Sequence, residues 1–128
     1  MRRPIQVDGR QLWTLFDTGA RNTYVLASAL SGLTVVPLKV PRKASLGGKV
    51  HAIDRACFLE AVVEGKPVEG DAVVIDEIGL DEEGRAIEVL FGALLMQKWG
   101  IKVCPETESL DLTHYPKEFV EFMELRGG

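Results

Sequence analysis

A chain of 128 residues has the length of one domain and can bury a core of its own without disulfide or metal staples. With 46% hydrophobic and 27% charged residues it has the composition of an ordinary globule, which excludes a disordered segment, a collagen and a coiled coil. Fifteen basic residues against nineteen acidic ones leave a net charge of −4, which disfavours nucleic acid as the main partner, because phosphate binding needs a concentrated basic surface.

In chain order, Pro4–Val7 reads as a strand, Asp8-Gly9 as a hairpin turn and Arg10–Phe16 as the returning strand. Leu12, Thr14 and Phe16 share one face of that strand, and Gln11, Trp13 and Leu15 the other. Both faces turn apolar toward its end, the pattern of a strand covered on both sides. The short apolar run Thr23–Ala29 fits a strand or a helical turn, and the β-branched Thr34–Val40, closed by Pro41, a strand. Ala44–Val50 carries Gly47-Gly48 between two extended stretches, which predicts a mobile hairpin tip. Ala56–Val63 and Val68–Ile75, joined through Glu64-Gly65-Lys66, form the clearest hairpin, and Asp76–Arg85, with five acidic residues and two glycines, reads as a solvated loop.

Ile87–Phe91 is a strand that runs into Gly92; Ala93–Trp99 then takes helical spacing and is closed by Gly100. Ile101–Cys104 and Leu110–Leu112 flank a Pro-Glu-Thr-Glu turn, and Pro116 opens a terminal helix with Phe119, Val120, Phe122 and Met123 on or near one face. The sum is one all-β domain over residues 1–128 with two short helices, residues 113–128 forming a C-terminal extension that caps the core.

No apolar run approaches the ~20 residues that span a bilayer, so no membrane partner is expected. Met1-Arg2-Arg3 leads into Pro4-Ile5-Gln6 without the apolar stretch of a signal peptide, and a cytoplasmic location is the default expectation. Arg2-Arg3 and Pro41-Arg42-Lys43 are basic spots that read as solvated ends. Cys57 and Cys104 lie far apart outside any Cys-x-x-Cys pattern and are expected to be reduced residues packed in strands. His51 and His114 lack ligands at metal spacing, so no metal is expected. Ser28, Ser31 and Ser45 lack a nucleophile-elbow pattern, Gly47-Gly48-Lys49 lacks the rest of a phosphate loop, and Asp81-Glu82-Glu83 lacks the alternating oxygens of a calcium loop. No cofactor is indicated.

The informative stretch is Leu15-Phe16-Asp17-Thr18-Gly19-Ala20, where a carboxylate follows directly on a buried strand end. The glycine lets the backbone turn tightly and brings N–H groups toward the carboxylate. By itself an Asp-Thr-Gly can equally be a turn whose Asp binds only its own backbone. Followed by Gly47-Gly48 and then by Val89-Leu90-Phe91-Gly92-Ala93 leading into a helix, it resembles the retropepsin-like aspartic proteases, the single-lobe relatives of pepsin, over roughly Pro4 to Leu112. The resemblance implies a closed β-barrel or sandwich of the acid-protease type. It implies that Asp17 is the catalytic carboxylate, Thr18 ties two active-site loops together, the Gly19 N–H reaches the carboxylates and Ala20 lines the cleft. Leu46, Gly47 and Gly48 become the tip of a flap over bound peptide, and Phe91 and Gly92 the support under the loop.

The same chemistry requires two carboxylates that share one proton, one as base on a water and the other as acid on the scissile carbonyl. No second apolar-apolar-Asp-Thr/Ser-Gly exists: Asp8-Gly9 lacks the hydroxyl residue, and Asp54, Asp71, Asp76, Asp81 and Asp111 lack the glycine. The resemblance therefore implies a homodimer with its site on the two-fold axis, cutting extended peptides at acid-side pH. Arg21 stands where many members carry a smaller or acidic residue, and the flap is poor in aromatics. Two other readings predict different behaviour. A retropepsin-fold dimerisation or peptide-binding module would hold peptides without turnover, and a β-rich domain with a chance Asp-Thr-Gly would be a monomer.

Overall fold

Three hairpins close on the same two-residue turn, and in each the second turn residue is glycine. The pairs Asp8-Gly9, Gly47-Gly48 and Glu64-Gly65 all have positive φ, from 47° at Glu64 to 80° at Gly48 and Gly65. They join Val7 to Arg10, Leu46 to Lys49 and Val63 to Lys66 as directly paired strand ends. Two left-handed residues in succession match the right-handed twist of the strands they connect.

The structure, a computed structural model, describes residues 1–116. The strands are β1 (Arg2–Val7), β2 (Arg10–Phe16), β3 (Tyr24–Leu26), β4 (Thr34–Leu46), β5 (Lys49–Val63), β6 (Lys66–Ile75), β7 (Val89–Phe91), β8 (Lys102–Cys104) and β9 (Ser109–Asp111). A 3-10 turn, Ala27–Ala29, follows β3, and one helix, α1 (Ala93–Trp99), follows β7. Neighbours run β1-β2-β7-β3-β6-β5, and pairing of Gln6 in β1 with Val62 in β5 closes the ring. The result is the closed all-β barrel expected from the sequence. β4 lies outside the ring as an edge strand on β5, and β8 and β9 form a separate hairpin.

Alternation along the strands fills the barrel. Leu12, Thr14 and Phe16 of β2 are buried, as are Cys57, Leu59, Ala61 and Val63 of β5. They join Ile5, Val7, Val25, Val68, Val89 and Phe91 in one cluster, onto which α1 packs Leu95, Met96 and Trp99. The rings of Phe16 and Phe91 meet at 4.9 Å between centroids. Helix α1 stops at Gly100, whose φ of 66° lets its N–H turn back to the carbonyls of Met96 and Gln97.

Four expectations are refined. Thr23–Ala29 is both things at once, a strand and then a helical turn. The strand predicted to end at Pro41 continues to Leu46; its ladder with β5 slips between Pro37 and Arg42, where an edge strand accommodates prolines that cannot donate to a neighbour. The strand predicted from Ala56 begins at Lys49, making the hairpin tip continuous with the barrel wall. The loop read as solvated is fastened down. Asp81 accepts hydrogen bonds from the N–H groups of Glu83 and Arg85 and from Trp13 Nε1, all at 2.9 Å, while the Arg85 guanidinium lies 4.3 Å over the Trp13 ring. Those bonds, the Arg85 N–H first, hold the Asp81 carboxyl below its ordinary value. The predicted terminal helix, with Phe119, Val120, Phe122 and Met123, lies outside the described residues.

Leu59 has no exposed surface at the centre of the barrel, so Leu59→Ala should lower the unfolding free energy by about 3 kcal/mol. Val40→Ser, at a side chain 76% exposed, should change it by less than about 0.5 kcal/mol. Urea denaturation of the two variants beside wild type checks both.

Candidate active site

Asp17 is the first residue beyond β2. Phe16 pairs with Phe91 in the parallel β2–β7 ladder, and the Asp17 N–H extends that ladder with a 3.1 Å bond to the Phe91 carbonyl. The chain then turns on its own carboxylate: the Gly19 N–H donates to Asp17 Oδ1 at 2.8 Å, and the Ala20 N–H to the Asp17 carbonyl at 3.2 Å. A side chain at position 19 would bring its Cβ within 3.2 Å of that oxygen. Asp17 and Ala20 are half-buried; Thr18 and Gly19 are exposed. Among the described residues no group is hydrogen-bonded to Asp17 Oδ2 or to the Thr18 hydroxyl.

The second motif threads beneath this loop. The Ala93 N–H donates to the Ala20 carbonyl at 2.6 Å, and the Leu94 N–H to the Arg21 carbonyl at 3.1 Å. The Gly92 N–H donates to Thr23 Oγ1 at 3.0 Å. A Cβ at Gly92 would lie 2.1 Å from the Asn22 carbonyl oxygen and 2.9 Å from that of Arg21, both backbone atoms with nowhere to go. Gly92 is therefore required by space; its φ of −89° suits any residue. The structure thus brings Asp17, Thr18, Gly19 and Ala20 together with Phe91 and Gly92.

Leu46 of the hairpin tip and Ala20 of the loop pack against one small cluster, Tyr24, Ile53, Ile75 and Leu90. Gly47 and Gly48 stand exposed with open space around them. The β5 arm of the hairpin is anchored to the residues that follow β6 by an ion pair and a histidine–carboxylate hydrogen bond. Lys49 Nζ meets Glu77 at 3.0 Å, and the ring of the buried His51 donates from Nδ1 to Asp76 Oδ1 at 2.7 Å. The His51 bond is the leading reason that the Asp76 carboxyl sits below its ordinary range.

Three residues of this site were not singled out in the sequence: Thr23, His51 as an anchor, and Asp76. The signal for Thr23 was a hydroxyl at the start of a buried run, which must find a partner inside the protein. Nothing local paired His51 with Asp76. Elsewhere, Cys57 and Cys104 are free, and burial, helped by nearby Asp71, pushes the Cys57 thiol up to about 11, which leaves no thiolate for chemistry at neutral pH. Among the described residues no three His, Cys, Asp or Glu side chains come together as a metal ion requires.

Gly92→Ala should lower stability by about 3 kcal/mol, because backbone must move to admit one methyl group. Gly48→Ala, strained only by its positive φ, should lower it by about 1 kcal/mol; thermal and urea unfolding distinguish the two. The Asp76 carboxyl, lowered in the folded state, adds stability that is complete above the ordinary carboxylate value of about 3.9 and is lost as the pH falls through the folded value. Wild type should accordingly exceed Asp76→Asn in stability at neutral pH, and urea midpoints should converge between about pH 5 and about pH 2.

No protein-family model matches the sequence, and no curated protein sequence matches it either. Among solved structures, the chain is similar to the retroviral protease-like domain of Ddi1 from Leishmania major. The TM-score is 0.64 at 12% identity, over 88% of this chain and 86% of that one. With a closed barrel, a helix entered through Gly92 and an Asp-Thr-Gly loop seated on that glycine, the chain has the retropepsin-like fold.

Proposed function

We propose that this chain is an aspartic endopeptidase that works as a symmetric homodimer, each subunit supplying one Asp17 to a site on the two-fold axis. The observation that carries the reading is the seating of Asp17. The carboxylate ends a buried strand, one oxygen is held by the Gly19 N–H at 2.8 Å, and the other has no partner among the described residues. A carboxylate oriented in this way is prepared to act on a bound group rather than to close its own turn. The retropepsin-like fold and the protease-like domain named above support the same reading, as does the exposed Thr18 hydroxyl, available to a second copy of the loop.

Two such carboxylates side by side hold one proton between them, since both cannot ionise at close range. The ionised Asp17 removes a proton from a water held between the two. The water oxygen bonds to the scissile carbonyl carbon while the protonated Asp17 of the other subunit gives its proton to the carbonyl oxygen. The tetrahedral diol then collapses: one hydroxyl returns its proton to the ionised Asp17, the C–N bond breaks and the amine nitrogen takes the proton of the other Asp17, which yields a carboxylic acid and an amine and restores the one-proton dyad. No metal and no cofactor enter these steps. The substrate lies extended, its backbone bonded between the hairpin tips at Leu46, Gly47 and Gly48 and the floor of the cleft, a form of strand addition. The reading includes a cytoplasmic setting, where thiols such as Cys57 and Cys104 stay reduced; no helix among the described residues is long and apolar enough to cross a membrane.

Digestion of a diverse peptide library from pH 3 to pH 8, wild type beside Asp17→Asn, tests the proposal. Wild type should cleave best on the acid side, and the variant should lose about 10³-fold or more of the rate while still sedimenting as a dimer. Full activity in Asp17→Asn, or a wild-type protein that is monomeric and inert, overturns it.

A further inference from the structure

An open groove of about 560 Å³ is bounded by the segment that starts at Arg21, by β4, β5 and β6 and by α1, and its charges are one-sided. Arg21 from the loop, Arg42 and Lys43 from β4 and Lys98 from α1 line it, against a single carboxylate, Asp71. The whole chain is acidic, with a net charge of −4, so this is a local reversal of sign. Among the described residues Arg21, Arg42 and Lys43 have no side-chain hydrogen bond or ion pair, whereas Arg2 and Lys49 elsewhere are paired with Glu82 and Glu77. The Lys98 ammonium lies 5.6 Å over the Trp99 ring, an interaction that leaves its charge uncancelled. Four cations around one concavity repel one another, and low-dielectric walls concentrate their field on whatever enters.

Arg21 directly follows Ala20, so the groove begins at the residue after the Asp17-Thr18-Gly19-Ala20 loop. A peptide extended over Asp17 advances about 3.3 Å per residue and carries the side chains on one side of its cut bond past these cations. The apolar Leu94 of α1, 48% exposed, lies along the same groove and suits the methylenes of a Glu side chain below its carboxylate. We propose that this groove is a charge-selecting subsite for Glu and Asp side chains, which makes acidic polypeptide segments the preferred substrate. The inference rests on the peptidase reading and adds its substrate class.

Three peptides that share one cleavable core, with flanking residues of Glu, Gln or Lys, test it. Wild type should follow the order Glu, Gln, Lys in kcat/KM, with about tenfold or more between the first and the last. That ratio should shrink as NaCl rises from about 0.05 M to about 0.5 M, because the groove is open to solvent. Arg21→Glu combined with Arg42→Glu should reverse the order, and the milder Arg21→Gln with Lys43→Gln should flatten it if the double reversal does not fold. Binding of fluorescently labelled Glu and Lys peptides to Asp17→Asn reads the same preference without turnover. Cleavage of all three peptides at equal kcat/KM overturns the subsite and leaves the peptidase standing. Absence of cleavage, with salt-sensitive binding of the Glu peptide that Arg21→Glu abolishes, overturns the peptidase and retains the acidic-peptide groove. Neither cleavage nor a charge preference in binding overturns both.

Discussion

Two backbones approach tightly at Gly92, where the chain leaving β7 passes so near the Asn22 carbonyl that a methyl group has no room. That contact decides how the loop after β2 is held. Because Gly92 lies so close, the N–H groups of Ala93 and Leu94 reach the carbonyls of Ala20 and Arg21, and its own N–H reaches the Thr23 hydroxyl. Each such bond contributes about 1 kcal/mol net, and leaving the buried Gly92 N–H or Thr23 hydroxyl unpaired costs more than that. The loop is thereby tied at its returning half, while its leading half is tied by the Asp17 N–H on the Phe91 carbonyl. Between the two ties only Asp17, Thr18 and Gly19 are left to face outward.

The barrel makes this crossing possible by bringing β7 between β2 and β3, parallel to the one and antiparallel to the other. The loop that connects β2 to β3 must then pass over the end of β7, and the residue leaving β7 at that point must be small. The same geometry links the loop to the hairpin tip. Ala20 and Leu46 share the small cluster of Tyr24, Ile53, Ile75 and Leu90, and the Lys49 ion pair and the His51 hydrogen bond hold the arm from which the tip projects. Gly47 and Gly48 stand at the tip, exposed and with open space around them, above that arm.

What the sequence made legible was local chemistry. Asp8-Gly9 and Glu64-Gly65 announce tight hairpins because left-handed turn positions select such residues, and Gly100 announces the end of α1 for the same reason. The Asp-Thr-Gly loop and the apolar run into Gly92 were visible because each is a contiguous segment. Less legible were the pairings that only the closed barrel creates: Thr23 with Gly92, His51 with Asp76, and Trp13 with Asp81 and Arg85. Pro41 misled because a proline signals a strand end when the neighbour needs its N–H, and β4 is an edge whose ladder slips there. Arg42-Lys43 reads as a solvated spot and both residues are exposed; that Arg21 and Lys98 from two other elements line the same groove is visible only in the fold.

The most demanding constraint on function is arithmetical: the chain carries one carboxylate in an Asp-Thr-Gly loop, and the proposed chemistry consumes two roles, base and acid. A two-fold axis supplies both from one gene product, and it duplicates everything else near the site as well. A peptide has direction and the axis has none, so in the proposed dimer the substrate meets one cationic groove on each side of the cut bond. Selection by charge then extends to both sides of the scissile pair, while the bond itself lies over the two Asp17 carboxylates. Acidic flanks beside a central negative charge would be repelled without those grooves, and this gives the four uncancelled cations a physical role in an otherwise acidic protein.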